Sequence, residues 1–213
     1  GGRPFTARQT HLIEDHADGA NNRFAVAARL NHDLNGGRPG PFWGCPKAAA
    51  CSTLTPRQFH REGRFEDHRT VDRLLRPLGI QSCWKLYTTG SVGSQMLMGL
   101  PAIHRLLTHP EFGDCCRLWP FETLWEARLD GIVVSEIWPR LFRHHDEPHA
   151  IKDARQVLAV CRWAQRADRQ GRLREAFARP PDLDDISAAR VLGEEGWIFR
   201  AYDALIDRDW LAD

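Results

Sequence analysis

Residues 131–142 read GIVVSEIWPRLF, and the fold class turns on the apolar run inside them. Ile132, Val133 and Val134 are β-branched side chains that suit an extended chain, and Gly131 and Pro139 bound the run with turn signals. A run that is apolar without alternation predicts a strand buried on both faces, as in a parallel sheet. CRLWPF (116–121) predicts a second short strand of the same kind. The spacing downstream predicts a long helix over 149–170 and another over 184–194, and GWIFRAYDAL (196–205) suits either a final strand or a helix. Strands and helices therefore alternate in the second half, which points to an α/β protein with a buried sheet.

Upstream, KLYTTGSVGSQMLMGL (85–100) offers three readings. A phosphate-cradling Walker loop needs a lysine after its second glycine, and none follows Gly93. A nucleophile elbow needs glycines at both second neighbours of its serine, and neither Ser91 nor Ser94 has them. What remains is an extended Trp84–Tyr87, a glycine turn, and a helix carrying Met96, Leu97, Leu100, Ile103 and Leu107, with Pro101 early in it. Residues 9–18 and 21–35 predict helices, the second capped by Asn21 or Asn22. GGRPGPFWGCP (36–46) has the Gly and Pro density of a long loop, whose Phe42 and Trp43 suit the core better than a pocket wall. Residues 55–79 read as irregular and then helical. The half spanning 1–80 is thus helical and loop-rich, with no convincing strand.

A chain of 213 residues suits a single domain with a real core, and 42% hydrophobic and 27% charged residues are ordinary globular values. Nothing in the sequence has the length of a membrane span or the apolar centre of a secretory signal, so the expected setting is the cytoplasm, with no membrane partner. Six cysteines at spacings unlike a zinc ribbon or a CxxC motif are read as reduced, and Cys45 and Cys51 with His60 and His68 leave a metal-site option. A net charge of +1 lacks the footprint of a strongly basic nucleic-acid binder. Its distribution is uneven: residues 140–175 hold 9 Lys/Arg against 5 Asp/Glu, a surplus of +4, and 182–213 hold 3 against 9, a deficit of −6. One face could meet phosphates, or these charges are solvated helix faces.

Three carboxylates occupy places where chemistry gathers. Glu136 ends the apolar run and Glu122 follows the other strand, at the carboxyl ends where open α/β sheets bind ligands, or each is a solvated strand end. At about 100° per residue, Asp153 shares a helix face with Val157, Val160, Cys161 and Ala164, on the stripe expected to face the sheet. An acid in the first turn also complements the helix dipole, so both readings stand. Converging carboxylates repel unless a cation neutralises them, and oxygen-only ligands select Mg²⁺ or Mn²⁺. Two-metal phosphoryl hydrolysis uses such a cluster, commonly with a third acid.

SEIWPRLF, KDARQVLAVCRWAQRADRQGRL and EEGWIF (194–199), with NNRFAVAARLN, GPFWGCP, SCWKLYTTGSVGSQMLMGLPAI and RLWPFET, resemble the DUF429 family of predicted nucleases. The closer resemblance is to a bacterial subgroup often labelled a cobalamin biosynthesis protein, and it covers about residues 10–200. The resemblance implies a ribonuclease-H-like mixed sheet flanked by helices. It matches Glu136 and Asp153 to the family's metal-binding acids; on a hydrolase reading these two hold the metal, Glu122 assists, and Arg140, Lys152 and Arg155 contact phosphate. It gives Gly90 and Gly93 to a turn, and Ser91, Ser94 and Gln95 to the lining of a substrate groove. The family's first strand, with its aspartate, has no counterpart here, so an N-terminally truncated domain is expected, with an exposed sheet edge that favours homo-oligomers. The function expected is a metal-dependent, nuclease-like phosphodiester hydrolase, or an inactive truncated remnant of one, acting on nucleic acid or another phosphodiester; the alternatives are a non-catalytic ligand- or protein-binding module and a corrinoid-pathway accessory protein.

Overall fold

The computed structural model describes residues 12–59 and 65–203. The chain packs as two compact units that divide between Asp114 and Cys115, and both helix and parallel sheet are present. Among the described residues no helix is long and apolar enough to cross a membrane.

In the first unit the principal helices are α1 (Arg23–Asn35), the short α2 (Thr70–Leu74) and α3 (Val92–Leu107). Among the described residues, 36–59 form a long loop broken by one 3₁₀ turn, Lys47–Ala49. α1 presents Val26, Ala27 and Leu30 to a core completed by Phe42, Cys45 and Leu54 from the loop and by Leu86 and Leu97. Phe42 is therefore core, as its sequence setting suggested, and its ring meets Trp84 edge-on at 5.1 Å.

A loop buried this deeply must place its backbone polar groups. Asn31, fully buried on α1, supplies the partners. Its amide donates to the carbonyls of Phe42 (2.9 Å) and Thr53 (2.7 Å), and its oxygen accepts from the Phe42 N–H (2.8 Å). The Thr53 hydroxyl donates back to Ala28 O on the same helix (2.9 Å). The two sides of the loop also bond each other, Gly44 N–H to Thr55 O (2.9 Å), and Trp43 exchanges backbone bonds with Trp84 and Leu86.

The helix expected over 9–18 does not form in its described part: Asp15 and Asn21 make an antiparallel bridge, and residues 9–11 lie outside the described residues. Asn22 flanks α1 as expected, but its side chain does not cap the helix. It turns back to the preceding bend instead, donating to Leu12 O (2.9 Å) and accepting from Glu14 N (3.0 Å). Pro101 lies in the middle of α3 rather than near its start.

In the second unit β1 (Cys116–Leu118) and β2 (Ile132–Val134) form a parallel pair with Leu118 opposite Val134. Residues 119–131 make the crossover, which includes a 3₁₀ turn at Trp125–Arg128 and is about as short as a parallel connection allows. A single parallel bridge, Glu136 to Ile198, ties the chain just beyond β2 to the segment around Ile198. β2 is not the doubly buried strand that its composition predicts: Ile132 is 43% exposed, and Val133 and Val134 are half-buried. A pair of three-residue strands has too little area to be covered on both faces, and the core lies beside it. There Trp119 meets Trp125, Phe177 and Phe199 edge-on. Trp163 of α4 (Lys152–Arg169) packs on Phe142 and Phe199. The buried Arg200 guanidinium lies over the Trp163 ring at 4.3 Å, a desolvated cation–π contact. A further helix, α5 (Asp185–Arg190), starts on Asp184, whose carboxylate accepts from Ser187 N (2.9 Å), and runs into a π-turn at Val191–Glu195.

Asn31→Ala removes one buried donor–acceptor group and leaves the Phe42 and Thr53 backbone groups without it. The expected loss is at least about 2 kcal/mol, read as a lowered urea midpoint, whereas exposed His32→Ala changes stability by less than about 0.5 kcal/mol.

Candidate functional site

The GSVGSQ segment belongs to the first unit and forms the turn into α3. Gly90 has φ 77°, a left-handed conformation suited to glycine. Gly93 is required for a different reason: a Cβ there would stand 2.8 Å from the Cys83 carbonyl oxygen and 3.0 Å from the Trp84 carbonyl carbon. Its N–H donates to Lys85 O at 2.9 Å, so the first turn of α3 lies directly on the extended chain before it. Ser94 is buried in that contact, Ser91 is half-buried at the helix start, and Gln95 is exposed. Lys85 completes the turn by donating from Nζ to Thr89 O (2.7 Å).

The three carboxylates and the three cations read from the sequence all belong to the second unit. β1 and β2 are parallel, so Glu122 and Glu136 both follow the carboxyl ends of neighbouring strands. Glu122 turns back on its own strand: its Oε2 accepts the Leu118 N–H at 2.8 Å, and its N–H donates to Leu118 O at 2.8 Å. Part of its charge is thus held by the backbone. Glu136 is exposed, and its carbonyl accepts from Phe199 N (2.8 Å), which ties the end of β2 to the C-terminal segment. The 3₁₀ turn Pro139–Leu141 follows and packs against α4. Arg140 on that turn is exposed, with its guanidinium 5.9 Å from the Trp138 ring.

Asp153 stands in the first turn of α4 and is exposed, as are Val157 (61%) and Cys161. The face expected to be buried is therefore the outer one. Burial falls on Ala159 and Ala167, with Trp163 between them, a sector turned by roughly 80° from Asp153. Trp163 decides this, because its aromatic partners Phe142 and Phe199 bury far more apolar area than the Val157 face would. Asp153 lies about 15 Å along the helix axis from Trp163, at the open end. Lys152 is exposed nearby, and Arg155 is half-buried.

α4 also carries a feature that the sequence reading took up only at Arg155. Arg155, Arg162, Arg166 and Arg169 fall within about 60° of one another around the axis. Arg162 ion-pairs with the largely buried Glu147 at 2.8 Å. The helical period alone displays this stripe.

The Cys45–Cys51 segment of the first unit is the other chemically distinctive place. Cys45 is buried and Cys51 is exposed. The contact with Thr53 Oγ1 holds the Cys51 thiol below its ordinary value against the opposing effect of burial, and the Thr53 and Leu54 amides add smaller contributions in the lowering direction. Burial pushes the Cys45 thiol up, and neighbouring Cys51 adds to the rise. His60, which the sequence grouped with these cysteines, lies outside the described residues. Among the described residues no three His, Cys, Asp or Glu side chains are placed to hold one metal ion.

Against models of known families, curated proteins and solved structures, the chain gives no match.

Gly93→Ala is expected to cost about 1–3 kcal/mol, since the new Cβ meets backbone, while Ser91→Ala stays within about 0.5 kcal/mol. Thermal denaturation of both variants checks that this segment is a packing turn.

Proposed function

We propose that the chain is a metal-dependent phosphodiester hydrolase of the DUF429 nuclease type, working in the cytoplasm on a ribonuclease-H-like sheet that includes β1 and β2. The observation that carries this reading is the placement of Glu122 and Glu136 beyond the carboxyl ends of two adjacent parallel strands, where open α/β sheets gather ligands.

The donor chemistry suits a hard divalent ion: Glu136 and Asp153 are exposed, oxygen-only ligands that would hold Mg²⁺ or Mn²⁺. Such an ion, when bound, polarises a phosphoryl oxygen and acidifies a coordinated water. The chain's own part is to place charge. Arg140, exposed on the turn that follows β2, and Lys152, exposed in the first turn of α4, would offset the phosphate's negative charge, with the half-buried Arg155 on the same helix. Glu122, anchored by the Leu118 amide, would orient a neighbouring group rather than give up its own hydrogen bond.

A second reading, a non-catalytic module that grips phosphates, is favoured by the arginine stripe of α4. The two readings separate in one experiment that combines calorimetry of Mg²⁺ and Mn²⁺ binding with binding and cleavage of a labelled oligonucleotide. For the hydrolase, Glu136→Gln and Asp153→Asn each lose metal binding and lower cleavage at least about 100-fold. For the binding module, the oligonucleotide stays intact in the wild type and is released by Arg166→Glu. Cleavage that is unchanged in both carboxylate variants overturns the hydrolase assignment.

A further inference from the structure

The loop that Asn31 holds carries two cysteines close together. Residues 45–51 read CPKAAAC, and the 3₁₀ turn Lys47–Ala49 folds the stretch back on itself. Both cysteines converge on one residue, Leu54. The Cys45 sulfur is 4.0 Å from Leu54 O, and the Cys51 N–H donates to the same oxygen at 3.0 Å. The Cys45 sulfur therefore lies no more than 7.0 Å from the Cys51 backbone nitrogen. The Cys51 sulfur is 3.5 Å from Thr53 Oγ1.

The two thiols are unequal in a functional sense. Cys51 is exposed, and its hydrogen-bond partners favour the thiolate, the nucleophilic form. Cys45 is 3% exposed and is kept protonated by burial and by its neighbour. An accessible thiolate beside a protected second thiol is the arrangement of a redox-responsive pair, in which the first sulfur meets the oxidant and the second resolves it.

We propose that Cys51 and Cys45 form a hydroperoxide-responsive dithiol. The Cys51 thiolate attacks the terminal oxygen of a hydroperoxide, the O–O bond breaks, and Cys51 becomes a sulfenic acid while the alkoxide or hydroxide leaves and takes up a proton. The Cys45 thiol then attacks the Cys51 sulfur, its proton leaves with the sulfenic hydroxyl as water, and an intramolecular disulfide closes. A thiol reductant reverses it. The link would join the exposed end of the loop to the core that Cys45 shares with Phe42, Leu54 and Leu86. The disulfide is thus a clamp on the loop within the first unit.

The test uses the full chain with limiting hydrogen peroxide, followed by trypsin and mass spectrometry. Lys47 lies between the two cysteines, so cleavage after it leaves them in different peptides joined only by the disulfide. The expected product is that linked pair, formed before any link to Cys83, Cys115, Cys116 or Cys161, absent in Cys51→Ser and removed by dithiothreitol. Cys45→Ser should instead stop at a sulfenic acid trapped by dimedone on Cys51. Because Cys45 is buried and its replacement could unfold the unit, Thr53→Val provides a second measurement. It should raise the pH midpoint of iodoacetamide reaction at Cys51 from a wild-type value below that of an ordinary thiol, about 8.5. A wild-type midpoint at or above that value, or oxidation of Cys51 that never links it to Cys45, overturns the proposal.

Discussion

The buried carboxamide of Asn31 is the interaction on which the first unit depends. Residues 36–59, after α1, have almost no repeating structure of their own, yet they contribute Phe42, Cys45 and Leu54 to the core. Burying irregular backbone exposes it to the cost of unsatisfied amides, about 1–3 kcal/mol for each group left alone. One side chain on α1 answers this on both arms of the loop, bonding at Phe42 and at Thr53. Thr53 and Leu54 then fix Cys51 and Cys45, so the geometry of the thiol pair descends from the same amide.

The second unit solves its packing in a different way. A parallel pair of three-residue strands makes few ladder bonds and covers little area, so sheet formation cannot be its main source of stability. Edge-to-face contacts among Trp119, Trp125, Phe177, Trp197 and Phe199 form the core instead, with Trp163 and Phe142 extending it under α4. The guanidinium of Arg200 is tolerated there because the faces of Trp163 and Phe142 replace part of its hydration. The strands then position rather than stabilise: they deliver Glu122 and Glu136 to one end of the pair.

Period carried most of what the sequence disclosed. Helices α1, α3 and α4 stand where apolar residues recur at helical spacing, and the loop at 36–46 where glycine and proline cluster. Facing was harder to read than existence. Val157, Cys161 and Ala164 make as plausible an apolar stripe as Ala159, Trp163 and Ala167, and only the position of Phe142 and Phe199, distant in sequence, selects the second. Ile132 reads as buried because β-branched runs commonly are, but burial needs a covering layer, which no strand encodes. Asn31 carries no signal at all in one sequence, since a polar residue within an amphipathic helix is ordinarily on its wet side.

The outward turn of Asp153 changes the electrostatic argument for a metal. A carboxylate held in an apolar interior must be neutralised or paired, because desolvating it costs several kcal/mol. On an exposed helix end it keeps its water and already gains from the helix dipole. The charge of Asp153 therefore does not call for a cation. Whatever draws one there must come from a second carboxylate brought close, and Glu136, exposed at the end of β2 ahead of the turn that packs on α4, is the group whose backbone is fixed from both directions, by β2 on one side and by Phe199 on the other.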